Sequence, residues 1–155
     1  MTVTVLPDVE KLIVDWALTV NDLDTQFDGR IYTMLPKDPA WPAARLNRLG
    51  GAGAGRLHHL DQALIQVDVW GGPKATTWTI AETARALLSQ RFAGSRHDLT
   101  NGAVVVSSVR AGGIRRTTDT VATQATETDA EVSRARPRAS FDFAAVLKPG
   151  RPAGS

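Results

Sequence analysis

The sequence predicts a single domain of mixed α and β structure, in which amphipathic helices dock on a sheet. Residues 60–70 alternate apolar and polar side chains, which is the period of a β-strand. A Gly-Gly pair at 71–72 then lets the backbone turn, and Pro73 has the fixed φ and missing donor that suit a helix start. Apolar residues recur at helical spacing through residues 78–88. This strand and this helix each have a face that needs cover, so we expect them to pack on each other.

A further amphipathic helix is predicted near the start of the chain, from Asp8 to about Val20. Its apolar residues follow the i, i+3, i+4 rule: Val9, Leu12, Ile13, Trp16, Ala17 and Val20. The acidic segment 21–29 has the composition of a calcium loop, but its glycine is misplaced and Thr33 replaces the bidentate glutamate. We therefore interpret residues 21–29 as a solvated loop.

Short strands are predicted at 30–35, ended by Pro36, and at 44–49. The glycine-rich run 50–55 matches no phosphate-binding motif and is interpreted as a flexible linker or tip.

A β-branched strand at 103–110 follows an Asn-Gly turn. After Gly112-Gly113, residues 114–121 are expected to return antiparallel to that strand. Residues 122–133 have almost nothing to bury. Within a polar excursion of about 114–133, residues 122–133 are therefore expected to be mobile, or ordered by a partner.

Residues 134–147 form the last predicted strand. Its core face carries Ala139, Phe141, Phe143, Ala145 and Leu147, and its polar face carries Arg134, Arg136, Arg138, Ser140 and Asp142. Pro137 indicates that the upstream half lies at a sheet edge or runs past the sheet. The domain is expected to span residues 1–148, with a flexible tail at 149–155.

The arginines of this strand form a row with a spacing of roughly 6–7 Å. The row is either a solvated edge that prevents aggregation or a contact with another subunit or with nucleic acid. The candidate interface residues are Arg134, Arg136, Arg138, Arg115, Arg116 and Trp70.

Composition narrows the classes of function. The net charge of +2 does not demand a nucleic-acid partner, and the absence of cysteine excludes disulfides, thiolate metal sites and cysteine nucleophiles. The adjacent pair His58 and His59 would point to opposite faces of an extended chain, so no metal site is expected. Asp61 and Asp68 lie on different faces of their strand and are both expected at the solvated surface. No catalytic residue and no cofactor is predicted. Without a signal peptide or a membrane-spanning run, a soluble intracellular protein is expected.

The order of elements resembles that of the tail terminator, or tail completion, proteins of long-tailed bacteriophages. The resemblance lies in residues 30–36 (RIYTMLP), residues 63–71 (ALIQVDVWG) with the helix that follows, and residues 138–143 (RASFDF). It spans most of the chain and is one of pattern and order, since this family has no catalytic motif to match.

The resemblance implies an α+β fold in which a mostly antiparallel sheet carries the two helices on one face. It also implies a ring of copies, usually sixfold, that caps the tail tube, stops its polymerisation and meets the head-tail connector or stopper protein. Genomic DNA would pass through the ring lumen without sequence-specific binding, and no membrane would be involved. The protein would be assembled in the host cytoplasm and located in the virion, at the tail-head junction.

Two alternatives stay open. The first is a capsid-side neck or head-closure protein of the same joint, which binding partners would distinguish. The second is a small nucleic-acid-binding module that uses the arginine row and binds free DNA in a strongly salt-dependent way. The near-neutral net charge argues against this second alternative. An enzyme would require a site that sequence spacing does not reveal.

Overall fold

Three α-helices and seven strands make up the part of the chain that the computed structural model describes, which is residues 8–36, 40–53, 60–99, 102–121 and 134–150. The helices are α1 (Val9–Thr19), α2 (Asn21–Phe27) and α3 (Lys74–Leu87), and α3 continues into a π-helical turn at Leu88–Phe92. The strands are β1 (Ile31–Tyr32), β2 (Ala43–Gly53), β3 (Asp61–Trp70), β4 (Arg96–Leu99), β5 (Gly102–Ala111), β6 (Arg115–Val121) and β7 (Arg134–Gly150).

The strands form one sheet in the order β1-β2-β3-β7-β5-β4, and β6 pairs with β7 beside this path. β1 and β2 pair in parallel, and the other pairings of the described strands are antiparallel. The chain therefore has the predicted mixed α+β fold with a mostly antiparallel sheet.

The helices cover one face of this sheet. The odd-numbered residues of β3 and β7 that point to them are almost completely buried: Ala63, Ile65, Val67, Val69, Ala139, Phe141, Phe143, Ala145 and Leu147. Ile65 lies directly opposite Phe143 in the β3–β7 pair. Ile13 of α1 and Ala84 of α3 belong to the same apolar cluster as these strand residues. The predicted packing of the helices on the sheet is confirmed.

The loop predicted at 21–29 is wrong, because most of that segment forms helix α2. Leu23 and Phe27 are spaced i, i+4, and both are buried in the core. Asp28 ends the helix in the left-handed conformation with φ 49°, and its N–H donates to the carbonyl oxygen of Asp24. The described part of the chain thus has three α-helices, where the sequence predicted two.

The partner predicted for residues 114–121 is also wrong, because β6 pairs with β7 and not with β5. β7 is 17 residues long, and β5 and β6 lie end to end along the same side of it. Both run antiparallel to β7, so the chain passes Gly112 without reversing. At that point the Gly112 N–H donates to the Asp142 carbonyl oxygen at 2.8 Å.

Two strands are longer than predicted. β2 continues through the glycine-rich run as far as Gly53, which pairs with Gln62 of β3. β7 includes Pro149 and Gly150, which the sequence assigned to the tail. β3 ends opposite Arg138, so residues 134–137 of β7 pair only with β6 among the described strands and lie at a sheet edge, one of the two positions predicted from Pro137.

Sequence reasoning missed β4, a short polar strand that pairs with β5. The paired histidines at 58 and 59, the excursion at 122–133 and the tail at 151–155 lie outside the described residues.

Candidate interaction surface

The sheet face opposite the helices contains a buried carboxylate. Asp68 is fully buried, although even-numbered residues of β3 point away from the helices. Its Oδ1 accepts hydrogen bonds from Ser140 Oγ at 2.6 Å and Gln66 Nε2 at 2.8 Å, and its Oδ2 accepts one from Arg45 Nη2 at 2.7 Å. Arg138 Nη1 lies 3.9 Å from Oδ1. Burial acts to raise the pKa of Asp68, but the hydrogen bonds outweigh it and hold that pKa below its ordinary value.

Aromatic rings pack beside this carboxylate. The ring centroids of Trp41 and Trp70 are 5.9 Å apart, and the Arg45 guanidinium lies 5.4 Å from the Trp70 ring. The solvated position predicted for Asp68 is therefore wrong, because side chains of neighbouring strands enclose it. Trp70, one of the candidate interface residues, is only 3% exposed in the single chain.

Asp61 is the second carboxylate that is buried rather than solvated. It lies on the helix side of the sheet, where Arg48 Nη1 and Nη2 donate to its two oxygens at 2.8 and 2.6 Å. The hydrogen bonds from Arg48 to Asp61 raise the pKa of the Arg48 guanidinium. Both carboxylates are thus paired with arginines of β2, and neither is placed for acid–base chemistry with the other.

A basic groove lies between α3 and the paired strands β6 and β7. Its volume is about 160 Å³. It is lined by Lys74, Thr77, Trp78, Arg116, Thr117, Pro137, Arg138 and Ala139. The Arg116 guanidinium lies 4.1 Å from the centroid of the Trp78 ring in this groove. The Arg138 guanidinium lies on the helix-free face of the sheet, where its Nε donates to Thr117 Oγ1 at 2.9 Å and its Nη1 is 3.9 Å from Asp68. Trp78, the first of the apolar residues that predicted this helix, is only half-buried and forms one wall of this groove.

The structure brings some of the predicted interface residues together and separates others. Arg116 and Arg138 lie on neighbouring strands that line the basic groove, but the Arg116 guanidinium is on the helix face and the Arg138 guanidinium is on the helix-free face. Arg115 lies on the other face of β6 and donates through both Nη atoms to Asp142 at 3.1 Å, which raises the pKa of Arg115. The backbones of Arg134 and Arg136 pair with β6, and their side chains lie outside the described set.

The charge on the surface is divided between the two sides of the sheet. The segment 8–32, which carries α1, α2 and β1, has six carboxylates and two cations. The described side chains of 102–117 and 137–148 have five cations and one carboxylate. Sequence reasoning missed this division, because the net charge of +2 sums the charges of both segments. Only the sheet order places the two segments at opposite sides.

A serine and a histidine contact each other near the start of β4. Ser95 Oγ lies 2.8 Å from His97 Nε2 and donates to the Phe92 carbonyl oxygen at 2.6 Å. Burial lowers the pKa of His97, against an opposing effect of Asp98. The Ser95 hydroxyl thus donates a hydrogen bond to the last carbonyl oxygen of the π-helical turn. Among the described residues no group of three or more histidine or carboxylate side chains is arranged to hold a metal ion.

Comparison with known families places these features in context. Residues 11–132 match the family described as Tail completion protein gp17. The match extends over most of the chain, from α1 past β6, and ends just before β7 begins. The chain therefore belongs to the phage tail completion protein family, whose members are structural proteins of the virion tail that interact with other tail proteins.

A search of curated proteins found no match. In the described part of the chain no helix is long and apolar enough to cross a membrane.

Proposed function

We propose that copies of this chain close into a ring, usually sixfold in such proteins, that caps the tail tube and stops its polymerisation. The opposite side of the ring meets the head-tail connector or stopper protein, and genomic DNA passes through the lumen without sequence-specific binding. The observation that carries the proposal is the family match over residues 11–132.

The edges of the sheet support a ring-forming subunit. β4 and β6 each pair on one side among the described strands, and β1 covers β2 at only two positions. Strand edges with unpaired backbone groups pair readily with another chain, so the edges left open among the described strands suit the subunit to assembly. A ring needs two different contact surfaces on each copy, and the β2 edge lies at the opposite end of the strand order from the edges of β4 and β6.

An apolar patch on the helix-free face offers a separate contact for the tube or the connector. Leu64 is 37% exposed and lies directly opposite Ala144, which is also exposed. Val146, two residues further along β7, is on the same face and half-buried. Exposed apolar side chains that adjoin one another in this way are typical of contacts with other proteins.

Electron microscopy of assembled tail tubes tests the proposal. Purified protein is mixed with tail tube protein during polymerisation, and negative-stain images are compared with those of tubes grown alone. We expect a ring on one end of each tube and tubes that stop growing. Tubes that keep growing uncapped, while the protein binds the isolated connector, would assign it to the capsid side of the joint.

The five cations among the described side chains of β5, β6 and β7 favour one rival function, which is binding to free DNA. That rival predicts a gel shift with duplex DNA that weakens steeply between about 50 and 200 mM salt. We expect no such shift from the isolated protein. A shift without any tube capping would replace the structural role by nucleic-acid binding.

A further inference from the structure

The two sides of the sheet carry complementary charge in the single chain. α1 contacts β1 and β2, so its carboxylates and those of α2 lie at one side of the sheet. The cations of β5, β6 and β7 lie at the other side. Two copies that meet through identical sides bring like charges together, whereas a head-to-tail arrangement brings opposite charges together.

The basic groove presents a cation whose position is already fixed. Arg116 is held over the Trp78 ring. Little side-chain freedom is lost when such a group binds a partner, which favours association. Lys74 is an exposed cation at the rim of the same groove.

The acidic side of the chain presents carboxylates that suit this groove. Asp24 is exposed and makes no ion pair among the described residues. Asp28 is spaced i, i+4 from Asp24 and its side chain is 85% exposed, although it already accepts a hydrogen bond from Arg30 Nη1 at 3.3 Å. Leu23 and Phe27 anchor the same helix in the core, so the carboxylates are carried by a fixed element.

We infer that the basic groove of one copy receives the acidic α2 surface of the next copy, so that copies associate head to tail. This inference rests on the proposed ring, and it names the two surfaces that form each subunit contact. A head-to-tail contact uses two different surfaces on each copy, and it generates a closed ring when the rotation between copies closes.

Charge reversal on each surface tests the contact. Arg116→Glu changes the groove and Asp24→Lys changes α2, and the readout is the protein concentration at which half of the tail-tube ends carry a ring. Each reversal alone is expected to raise that concentration at least about tenfold, because like charges then face each other. An equimolar mixture of the two variants is expected to restore capping, because an even-numbered ring can alternate them and pair opposite charges at every contact.

Two variants with the same change of net charge serve as controls. Lys148→Glu lies on β7 and Asp15→Lys on α1, both exposed and both outside the groove, α2 and the strand edges named above. Neither is expected to change the half-capping concentration by more than about twofold. Circular dichroism and thermal melting confirm that all four variants are folded.

The outcomes separate the two proposals. If the wild-type protein forms no rings on tubes, the proposed function fails, and this inference fails with it. If wild-type rings form and both reversals leave them intact, the ring stands and the inference is overturned. If the reversals abolish rings and the mixture does not restore them, the two surfaces do not meet, which also overturns the inference.

Discussion

Ser140 Oγ donates a 2.6 Å hydrogen bond to Asp68 Oδ1, and these two residues of central strands are 72 positions apart in the chain. The two residues lie directly opposite each other in the β3–β7 pair. Arg45 extends the same network to β2. This polar network on the helix-free face connects three strands. It fixes their relative positions, because a buried charge is stable only when its partners are in place.

Replacing Asp68 by Asn should be strongly destabilising. Asn has nearly the same shape but no charge, so Arg45 loses its ion-pair partner and the hydroxyl of Ser140 loses a strong acceptor. Since the Arg45 side chain is 34% exposed and water can partly replace its partner, we expect a loss of about 2–3 kcal/mol in the free energy of unfolding. Urea denaturation of both proteins measures it. Asp98→Asn, at an exposed position of β4, is the control, and a matching small loss for both variants would contradict the prediction.

The contribution of Asp68 should also depend on pH. Its hydrogen bonds hold the pKa below the ordinary value despite the opposing effect of burial, so the folded pKa lies below that of the unfolded chain, about 3.9. The carboxylate therefore adds stability above that pH, and the contribution is lost as the pH falls through the folded pKa. The difference in unfolding free energy between wild type and Asp68→Asn should be constant from about pH 7 to 5 and shrink below about 4. A difference that is unchanged down to pH 3 would be the contrary result.

An exposed ion pair of similar geometry should matter much less. Arg115 contacts both oxygens of Asp142 at 3.1 Å, but their side chains are 53% and 34% exposed. Water solvates both groups when the pair is broken, so Asp142→Ala should cost no more than about 1 kcal/mol. Urea denaturation beside Asp68→Asn makes the comparison. Equal losses at the two sites would show that burial does not decide the strength of these pairs.

Alternation in the sequence identifies the two faces of β3 and β7 correctly, because each side chain in a strand points to a fixed side of the sheet. It does not reveal whether a face is covered by something distant in the chain. Asp68 was therefore placed on the correct face but was given the wrong exposure. The pairing of β6 with β7 also joins segments that are separated in the chain, by residues 122–133. No local sequence pattern encodes such a contact.

Helix α2 could have been found from the sequence. Leu23 and Phe27 have the helical spacing, and acids in the first turn are typical of a helix start. The acidic composition of the segment outweighed these two apolar residues in our interpretation. The basic groove could not have been found, because Trp78 and Arg116 are brought together only by the packing of α3 beside β6.

The anchoring of α2 should depend mainly on Phe27. This side chain is 1% exposed, and its removal leaves a cavity in the core beneath the helix. We expect Phe27→Ala to reduce the free energy of unfolding by about 3–5 kcal/mol. Thr25→Ala, at an exposed position of the same helix, should change it by less than about 0.5 kcal/mol. Chemical denaturation measures both, and a loss below about 1 kcal/mol for Phe27→Ala would show that α2 is not anchored in the core.

The turn between β3 and α3 should tolerate no side chain at Gly71. A Cβ there would lie 3.1 Å from Ile80 Cδ1 and 3.1 Å from the Cα of Thr77, and the second of these atoms belongs to the helix backbone and cannot move alone. The Gly71 N–H also donates to Thr77 Oγ1 at 3.1 Å, so any shift that relieves the clash weakens this hydrogen bond. Gly71→Ala should therefore lower the free energy of unfolding by about 1–3 kcal/mol.

Gly113→Ala is the matched control for this substitution. A Cβ at Gly113 meets nothing within 4 Å, so the change mainly restricts the unfolded chain and should be neutral or stabilising by up to about 1 kcal/mol. Thermal and urea unfolding of the two variants under the same conditions provide the comparison. If Gly71→Ala were as stable as Gly113→Ala, α3 would be free to move away from β3. The close approach at Thr77 would then not fix the angle at which the helix leaves the sheet.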